Sequence, residues 1–549
     1  MVDQRVHHLF ADLARGSISR RDFVRGATAL GVSATAIGLF LKAVPAGAQG
    51  ATPEASPAGG GGATTAPIVA QPCSGDACLW AGKELTVQCI DDSVRIPWDE
   101  VRAEFEAATG ATLTIVADPV GDAFPRLLSD AATGGNQFDA AMIGAWWLGE
   151  LVAGDFILPY DEFYADTTGK FPAFTFEDEL PGMQALRMYD GQKYVVPFDC
   201  DGQALYYRRD LLEDPTHQAA FETEYGYALD VPETWEQLRD IAKYFTGKDL
   251  NGDGEPDHGI SMHIKVGGQG MFHFMSLAAP YVIGPENPKL FWFDPETMDP
   301  LIQSEGHRRA MELYLELVQY GPQAMAGWAL GEAWQYFLDG NAMFTYSWGD
   351  VAALAVERDS YVKGIIGTAQ LPGTLAYVNP QTGEEYAVTE PNLVGNTTGG
   401  SWSGVIMKAS QNPDLAYYFL ALNATEAKQR YYAARGTDGV DPGKTYQILP
   451  PTGTGAVEDY VALGWDPADA EDYTKAYYDN YQNPNQLPFL RIPGTFEYWT
   501  AMDIQLSEAV TQAGTPEQVL QTMADEFQRI TDNLGRDQQL EIYKRSVGL

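Results

Sequence analysis

The sequence predicts an α/β fold arranged as two lobes. Three observations point there. The chain has 549 residues, more than one compact core serves well. Hydrophobic residues make up 45% and charged residues 20%, the proportions of a globular protein with a substantial core. Strand-like runs then alternate with helix-like runs, a pattern that gives a largely parallel sheet covered on both faces.

The first 48 residues read as an export signal. Ser19-Arg-Arg-Asp-Phe-Val-Arg25 precedes the apolar, small-residue run Ala27–Leu41, and Ala46-Gly-Ala48 follows. These are a charged region, an apolar region and an A-x-A cleavage site. The arginine pair before Phe23 resembles a twin-arginine signal. A retained membrane anchor is the alternative, but the run is short for a span and Lys42 interrupts its end. The location implied is periplasmic or cell-surface. Residues 49–82 read as a linker, and 49–72 are rich in Gly, Ala, Pro and Thr without apolar periodicity.

Folding is expected to start near Lys83. Glu84–Ile90 alternates as a strand, and a helical pattern over Trp98–Thr109 stops at Gly110. Thr112–Val116 is a second strand, Ala123–Thr133 a helix and Phe138–Ile143 a third strand. Later helices are predicted at Thr234–Phe245, Glu305–Tyr320, Leu330–Asp339, Asn412–Asn423 and Pro516–Leu534. Strand-like runs at Ala342–Tyr346 and Gly404–Met407 lie among them. In such folds ligand space lies at the carboxyl ends of strands or between lobes.

Charge and motifs exclude several functions. With 35 Lys+Arg against 75 Asp+Glu the net charge is −40, which repels nucleic-acid backbones and anionic lipid. No H-E-x-x-H occurs among the seven histidines, so a zinc protease is not indicated. Gly399-Gly-Ser-Trp-Ser-Gly404 carries Trp402 where a nucleophile elbow needs serine. Gly267-Gly-Gln-Gly270 lacks the Lys-Ser/Thr of a phosphate loop. A pair of glycosidase carboxylates is not excluded by counting acids. Of the four cysteines, Cys73 and Cys78 suit a local disulfide. Cys89 and Cys200 are either a second pair or two buried thiols.

Asp249-Leu-Asn-Gly-Asp-Gly-Glu-Pro-Asp257 places oxygen-bearing residues at alternate positions around two glycines. Asp249, Asn251, Asp253 and Asp257, with the Glu255 carbonyl, are candidate ligands for a structural Ca²⁺. An EF-hand requires glutamate at the twelfth position, where this chain has Ile260. A metal-free Asx turn is the alternative.

Four stretches together resemble the family 1 extracellular solute-binding proteins of ABC importers, the sugar-binding group that includes maltose-binding protein. They are Gly191-Gln-Lys-Tyr-Val-Val-Pro-Phe198 with Leu205-Tyr-Tyr-Arg-Arg-Asp-Leu211; Val231-Pro-Glu-Thr-Trp-Glu-Gln-Leu238; Ala333–Phe344 with Trp348-Gly-Asp350; and Gly399–Gly404 with Asn412-Pro-Asp-Leu-Ala416. Arg208-Arg209 departs from the family's usual Asn-Lys. The resemblance spans about Lys83 to Leu534. It implies the type II periplasmic-binding-protein fold, an α/β fold whose hinge crossovers join two lobes around a ligand cleft. It places residues 83–199 and 404–450 in one lobe, and 200–403 and 451–549 in the other. Hinge closure then captures the solute.

Sugars are held by aromatic faces and by groups that accept from hydroxyls. The candidates sit at strand ends and crossings: Asp92 after the first strand, Trp146 and Trp147 after the third, Asp199 and Asp201 around Cys200. Trp348 and Asp350 follow the strand Ala342–Tyr346, and Trp402 lies in the return crossing. The resemblance also puts Asp201 at a sugar-contacting acid and Tyr498 at a ligand-stacking aromatic. Arg435 suits an acidic ligand or a surface ion pair. The implied function is capture of a carbohydrate by a monomer that is not an enzyme, for delivery to an ABC permease. The same fold binding a polyamine, peptide or other cation is one alternative, and a secreted carbohydrate-active enzyme is the other.

Overall fold

The structure, a computed structural model, describes residues 66–397, 401–512 and 514–549. The signal segment and the linker up to residue 65 lie outside the described residues. Among the described residues the strands are β1 Glu84–Ile90, β2 Thr112–Asp118, β3 Ala140–Ile143, β4 Ile157–Leu158, β5 Met188–Tyr189, β6 Gln192–Lys193 and β7 Ala204–Arg208, followed by β8 His258–Ser261, β9 Ala342–Ser347, β10 Ile366–Ala369, β11 Thr374–Val378, β12 Glu385–Asn392 and β13 Ser403–Met407.

Lobe one is built on a five-stranded sheet of order β2-β1-β3-β13-β4. Leu85, Val87 and Cys89 on one face of β1 are buried, and so is Gln88 on the other. A strand covered on both faces belongs at the centre of such a sheet. Trp98 and Phe105, on helices Ile96–Glu100 and Arg102–Thr109, pack edge-on against Phe419 of helix Pro413–Ala424 at 5.2 and 5.6 Å. The stop predicted at Gly110 is a left-handed cap with φ 74°.

Lobe two holds a four-stranded sheet of order β10-β7-β9-β8. Helix Trp235–Phe245 enters it through a capping box made by Thr234 and Gln237. The expected parallel pairing is found in β2-β1-β3 and between β8 and β9, but each sheet is mixed: β13 runs against β3 and β4, and β7 runs against β9 and β10. The reason is connectivity. β7 and β13 each follow a passage from the opposite lobe, so each enters its sheet from the hinge end and runs away from it.

That geometry places the site. Ser403 at the start of β13 pairs with Ile143 at the end of β3, and Ala204 at the start of β7 pairs with Ser347 at the end of β9. Two strand ends and two strand starts therefore point at one region between the lobes. The segments just outside them carry Trp146, Trp147, Asp201, Trp348 and Trp402.

The chain becomes attached earlier than the linker reading of 49–82 expects. Glu104 accepts from the N–H of Val69 and Ala70, both at 2.7 Å, and Lys428 donates to the Pro67 carbonyl at 2.8 Å. Trp80 is buried, and Cys73 and Cys78 form the local disulfide. Cys89 and Cys200 are buried free thiols.

Candidate functional site

Among the described residues three passages join the lobes: β6 to β7, β12 to β13, and helix Glu426–Arg435 to helix Pro467–Gln482. Asp199 lies on the first. One of its carboxylate oxygens accepts from the Trp402 N–H on the second, and the other from the Asp441 N–H on the third, each at 3.0 Å. Asp441 in turn accepts from the Gly349 N–H at 3.0 Å and the Tyr477 hydroxyl at 2.6 Å. Tyr473 donates to its other oxygen at 3.1 Å. The Asp199 carbonyl accepts from Arg187 at 2.5 Å, and Arg187 forms a buried ion pair with Glu179 at 3.1 Å.

Asp201 and Asp350 complete an acidic row. Asp199, Asp201 and Asp441 are buried and Asp350 is half-buried. Burial pushes Asp199 up to about 6 against the pull of the Asp441 N–H, and pushes Asp350 up to about 7, helped by the charge of Asp199. Burial, with the charges of Asp199, Asp441 and Asp350, raises Asp201 well above the usual carboxylate range. Interaction between the two side chains favours the charged form of Asp199 and the neutral form of Asp201. Asp92 caps the turn Ser93–Arg95 by accepting from the Ser93 N–H, is exposed, and adds its charge to the field at Asp350. A Cβ on Gly439 would lie 3.7 Å from the Asp350 carboxylate and 3.9 Å from the Ser93 hydroxyl. The third passage thus runs between the end of β1 and the end of β9.

The aromatic side is continuous across the lobes. Trp147 stacks on Phe124 at 4.7 Å and 11°. Trp402 meets Trp146 and Trp147 edge-on at 5.1 and 5.4 Å. Trp146 lies 5.7 Å from Trp499, which reaches Phe272 at 5.3 Å. Phe272 meets Trp348 at 5.4 Å, and His263 stacks on Trp348 at 5.6 Å. Such offset and edge contacts suit the ring quadrupole. The indole nitrogens of Trp146 and Trp499 are buried donors with no partner among the described residues.

The structure therefore brings Trp146, Trp147, Trp348, Trp402, Asp199, Asp201 and Asp350 to one region, with Asp92 at its edge. Tyr498 stands elsewhere. It is fully buried, its hydroxyl meets Thr531 at 2.9 Å, and it packs on Phe293 and Phe527 at 5.2 Å. The neighbouring Trp499 takes the interlobe position, because consecutive residues on a helix are turned about 100° apart. Arg435 pairs with Glu100 at 2.8 Å and with Asp438. Sequence reasoning missed Asp441, Arg187 and the tyrosines of helix Pro467–Gln482. Tyr473, Tyr477 and Tyr481 recur every fourth residue, a one-face helical stripe that was open to reading.

The acidic loop is bonded to itself. Asp249 accepts from the Gly252 and Gly254 N–H groups at 2.6 and 2.9 Å, and Asn251 from Asp253 at 3.1 Å. Asp253 accepts from the Glu255 N–H at 2.8 Å and Asp257 from Leu250 at 2.7 Å. Among the described residues no group of three or more His, Cys, Asp or Glu is arranged to hold a metal ion. No described helix is long and apolar enough to cross a membrane.

Comparison with known proteins gives this geometry a family. A curated relative, a mannitol-binding protein of Pseudomonas aeruginosa, is 26% identical over 321 residues, covering 58% of this chain and 63% of its own length. This chain thus spans less than two thirds of that relative. Among solved structures, an ABC-transporter solute-binding protein of Agrobacterium vitis S4 with bound D-mannitol matches with a TM-score of 0.59 at 19% identity, over 83% of this chain and 99% of that one. One from Agrobacterium radiobacter K84 in complex with ribitol gives 0.62 at 18% identity, over 82% and 99%. A maltose-bound protein of T. maritima gives 0.57 at 18% identity, over 81% and 99%. All three share the two-lobed α/β fold. The family profile for bacterial extracellular solute-binding proteins matches residues 100–464, a family of binding proteins found outside the cytoplasm, and the chain belongs to it.

Proposed function

We propose that this protein captures a small neutral carbohydrate, a sugar or a polyol, between its lobes and delivers it to an ABC permease. One observation carries the reading: a wall of four tryptophans, Trp146, Trp147, Trp402 and Trp499, is joined through the Trp402 N–H to a row of aspartates. Indole faces pack on the C–H faces of a sugar, and carboxylates accept from its hydroxyls. The unpartnered indole N–H groups of Trp146 and Trp499 supply donors to the same solute. The mannitol, ribitol and maltose bound by the related proteins support this solute class.

In the proposed cycle the lobes open about the three passages, the solute enters, and contacts from both lobes favour the closed arrangement. No chemical step is required, and the protein acts as a monomer rather than an enzyme. It reaches its compartment through the twin-arginine signal of residues 1–48. The loop Asp249–Asp257 holds a structural Ca²⁺, supported by its alternating oxygens and by Gly252 and Gly254 at positive φ.

The function is tested by equilibrium binding of D-mannitol, ribitol, maltose and larger oligosaccharides, read by tryptophan fluorescence, with the solute recovered and analysed afterwards. Saturable binding with the solute unchanged supports it, and turnover of the solute contradicts it. Calcium against chelator tests the loop: a lower melting temperature without loss of affinity marks a structural clip.

A further inference from the structure

Apart from the interlobe site, a cavity of about 710 Å³ opens on the molecule, and none of the tryptophans or aspartates described above lines it. Its walls come from both lobes: Leu186 and Met188 to Gly191 on one side, and Lys289, Thr397, Gln486 to Phe489 and Arg491 with Arg545 on the other. Three cations face it, on a chain of net charge −40. They are Arg491, Arg545 and Lys289.

Their pairing sets them apart. Elsewhere buried or half-buried arginines stand against carboxylates, as Arg187 does with Glu179 and Arg209 with Asp469 and Asp472. Arg491 instead donates to main-chain carbonyls of Ala185 and Met188 at 3.1 and 2.8 Å, and of Ser546 at 3.2 Å. Its Nε is buried without a partner. Lys289 donates to the Gly548 carbonyl at 2.6 Å. Arg545 is exposed at the rim. Among the described residues no carboxylate stands within ion-pair distance of any of the three. Asp190, exposed at the rim, is the acidic residue of the described lining. Burial pushes the Arg491 guanidinium down to about 10, the mark of a charge held without a counter-ion. Apolar walls from Leu186, Leu487 and Phe489 complete the cavity.

We propose that this cavity is a second binding site, for a small organic anion whose carboxylate or phosphate groups take Arg491, Arg545 and Lys289 as partners. Arginine offers a planar fork that matches either group, and an apolar wall suits the carbon skeleton between them. The anion supplies the charge the cavity lacks. Because the walls belong to both lobes, an occupant holds one lobe arrangement over another. Its binding is then linked to that of a solute between the lobes, by the same factor in both directions. The anion site itself stands whether or not the interlobe solute is a carbohydrate.

The test is titration calorimetry on the full chain with citrate, and separately with inorganic phosphate, each against sodium chloride at matched ionic strength. One-site saturable heat is expected with at least one of them, and its identity distinguishes the carboxylate from the phosphate source. The double variant Arg545→Gln with Lys289→Gln weakens it about tenfold or more, and Arg545→Glu abolishes it. Arg529→Gln, on a remote exposed helix face, leaves it unchanged. Both cavity variants alter side chains at the rim, and an unchanged melting curve confirms that they fold. Heat no larger than the chloride control overturns the proposal, as does equal affinity in the double variant. Binding of poly-glutamate alone, with neither small anion bound, also overturns it, in favour of a polypeptide dock.

Discussion

The Asp199 carboxylate accepts from the main-chain N–H of Asp441 at 3.0 Å, across two different passages between the lobes. Its other oxygen takes the Trp402 N–H of the remaining passage at the same distance. One buried side chain thus ties all three hinge segments. Asp199→Ala leaves two buried N–H groups unpaired, each costing about 1–3 kcal/mol. Chemical denaturation should show a loss in that range or above it. Asp199→Asn keeps an acceptor for one N–H and should lose less. Equal losses in the two variants would mean that the hinge bonds contribute little.

The acidic row makes stability depend on pH in an unusual direction. Asp199 and Asp350 are raised by burial to about 6 and about 7. Both bind a proton more tightly folded than unfolded, so stability falls as pH rises from the ordinary carboxylate range through about 7. The melting temperature should therefore be higher at about pH 5 than at about pH 8. Asp350→Asn should flatten that slope, and an unchanged slope would contradict the assignment.

Trp402 is half-buried and touches both the indole wall and, through its N–H, the aspartates. Trp402→Ala should weaken solute binding by about 2 kcal/mol or more, some thirtyfold in affinity. Tyr498→Ala, in the core against Phe293 and Phe527, should lower stability and leave affinity nearly intact among folded molecules. Calorimetry and thermal melts on the two variants separate the effects.

Lys428 and Glu104 form a buried pair at 2.6 Å that anchors residues 67–70. Glu104→Ala strands a buried ammonium, a loss of about 3–5 kcal/mol. Urea unfolding checks it. Limited proteolysis should then cut near residue 70 in the variant and not in the parent chain.

Much of this was legible in the residues. Glu84–Ile90 and Pro516–Leu534 fall where periodicity predicts them. Trp146, Trp147, Trp348 and Trp402 converge because strand ends point at the hinge. Direction within the sheets was not legible, since alternation marks a strand but not which lobe the chain comes from. β7 carries no strand signal in the sequence, because all of Ala204–Arg208 is buried and no alternation shows. Asp441 lies in a loop without periodicity, and only its partners on other passages reveal it. Tyr498 stands one residue from Trp499, a step that turns a helical side chain to another face and that the sequence motif does not resolve.

The most direct measurement is calorimetric titration of the full chain with D-mannitol, ribitol and maltose beside a polyamine. The account predicts saturable one-site binding of a neutral carbohydrate, weakened in Trp402→Ala, and no binding of the polyamine. Binding of the polyamine with none of the carbohydrates would contradict it.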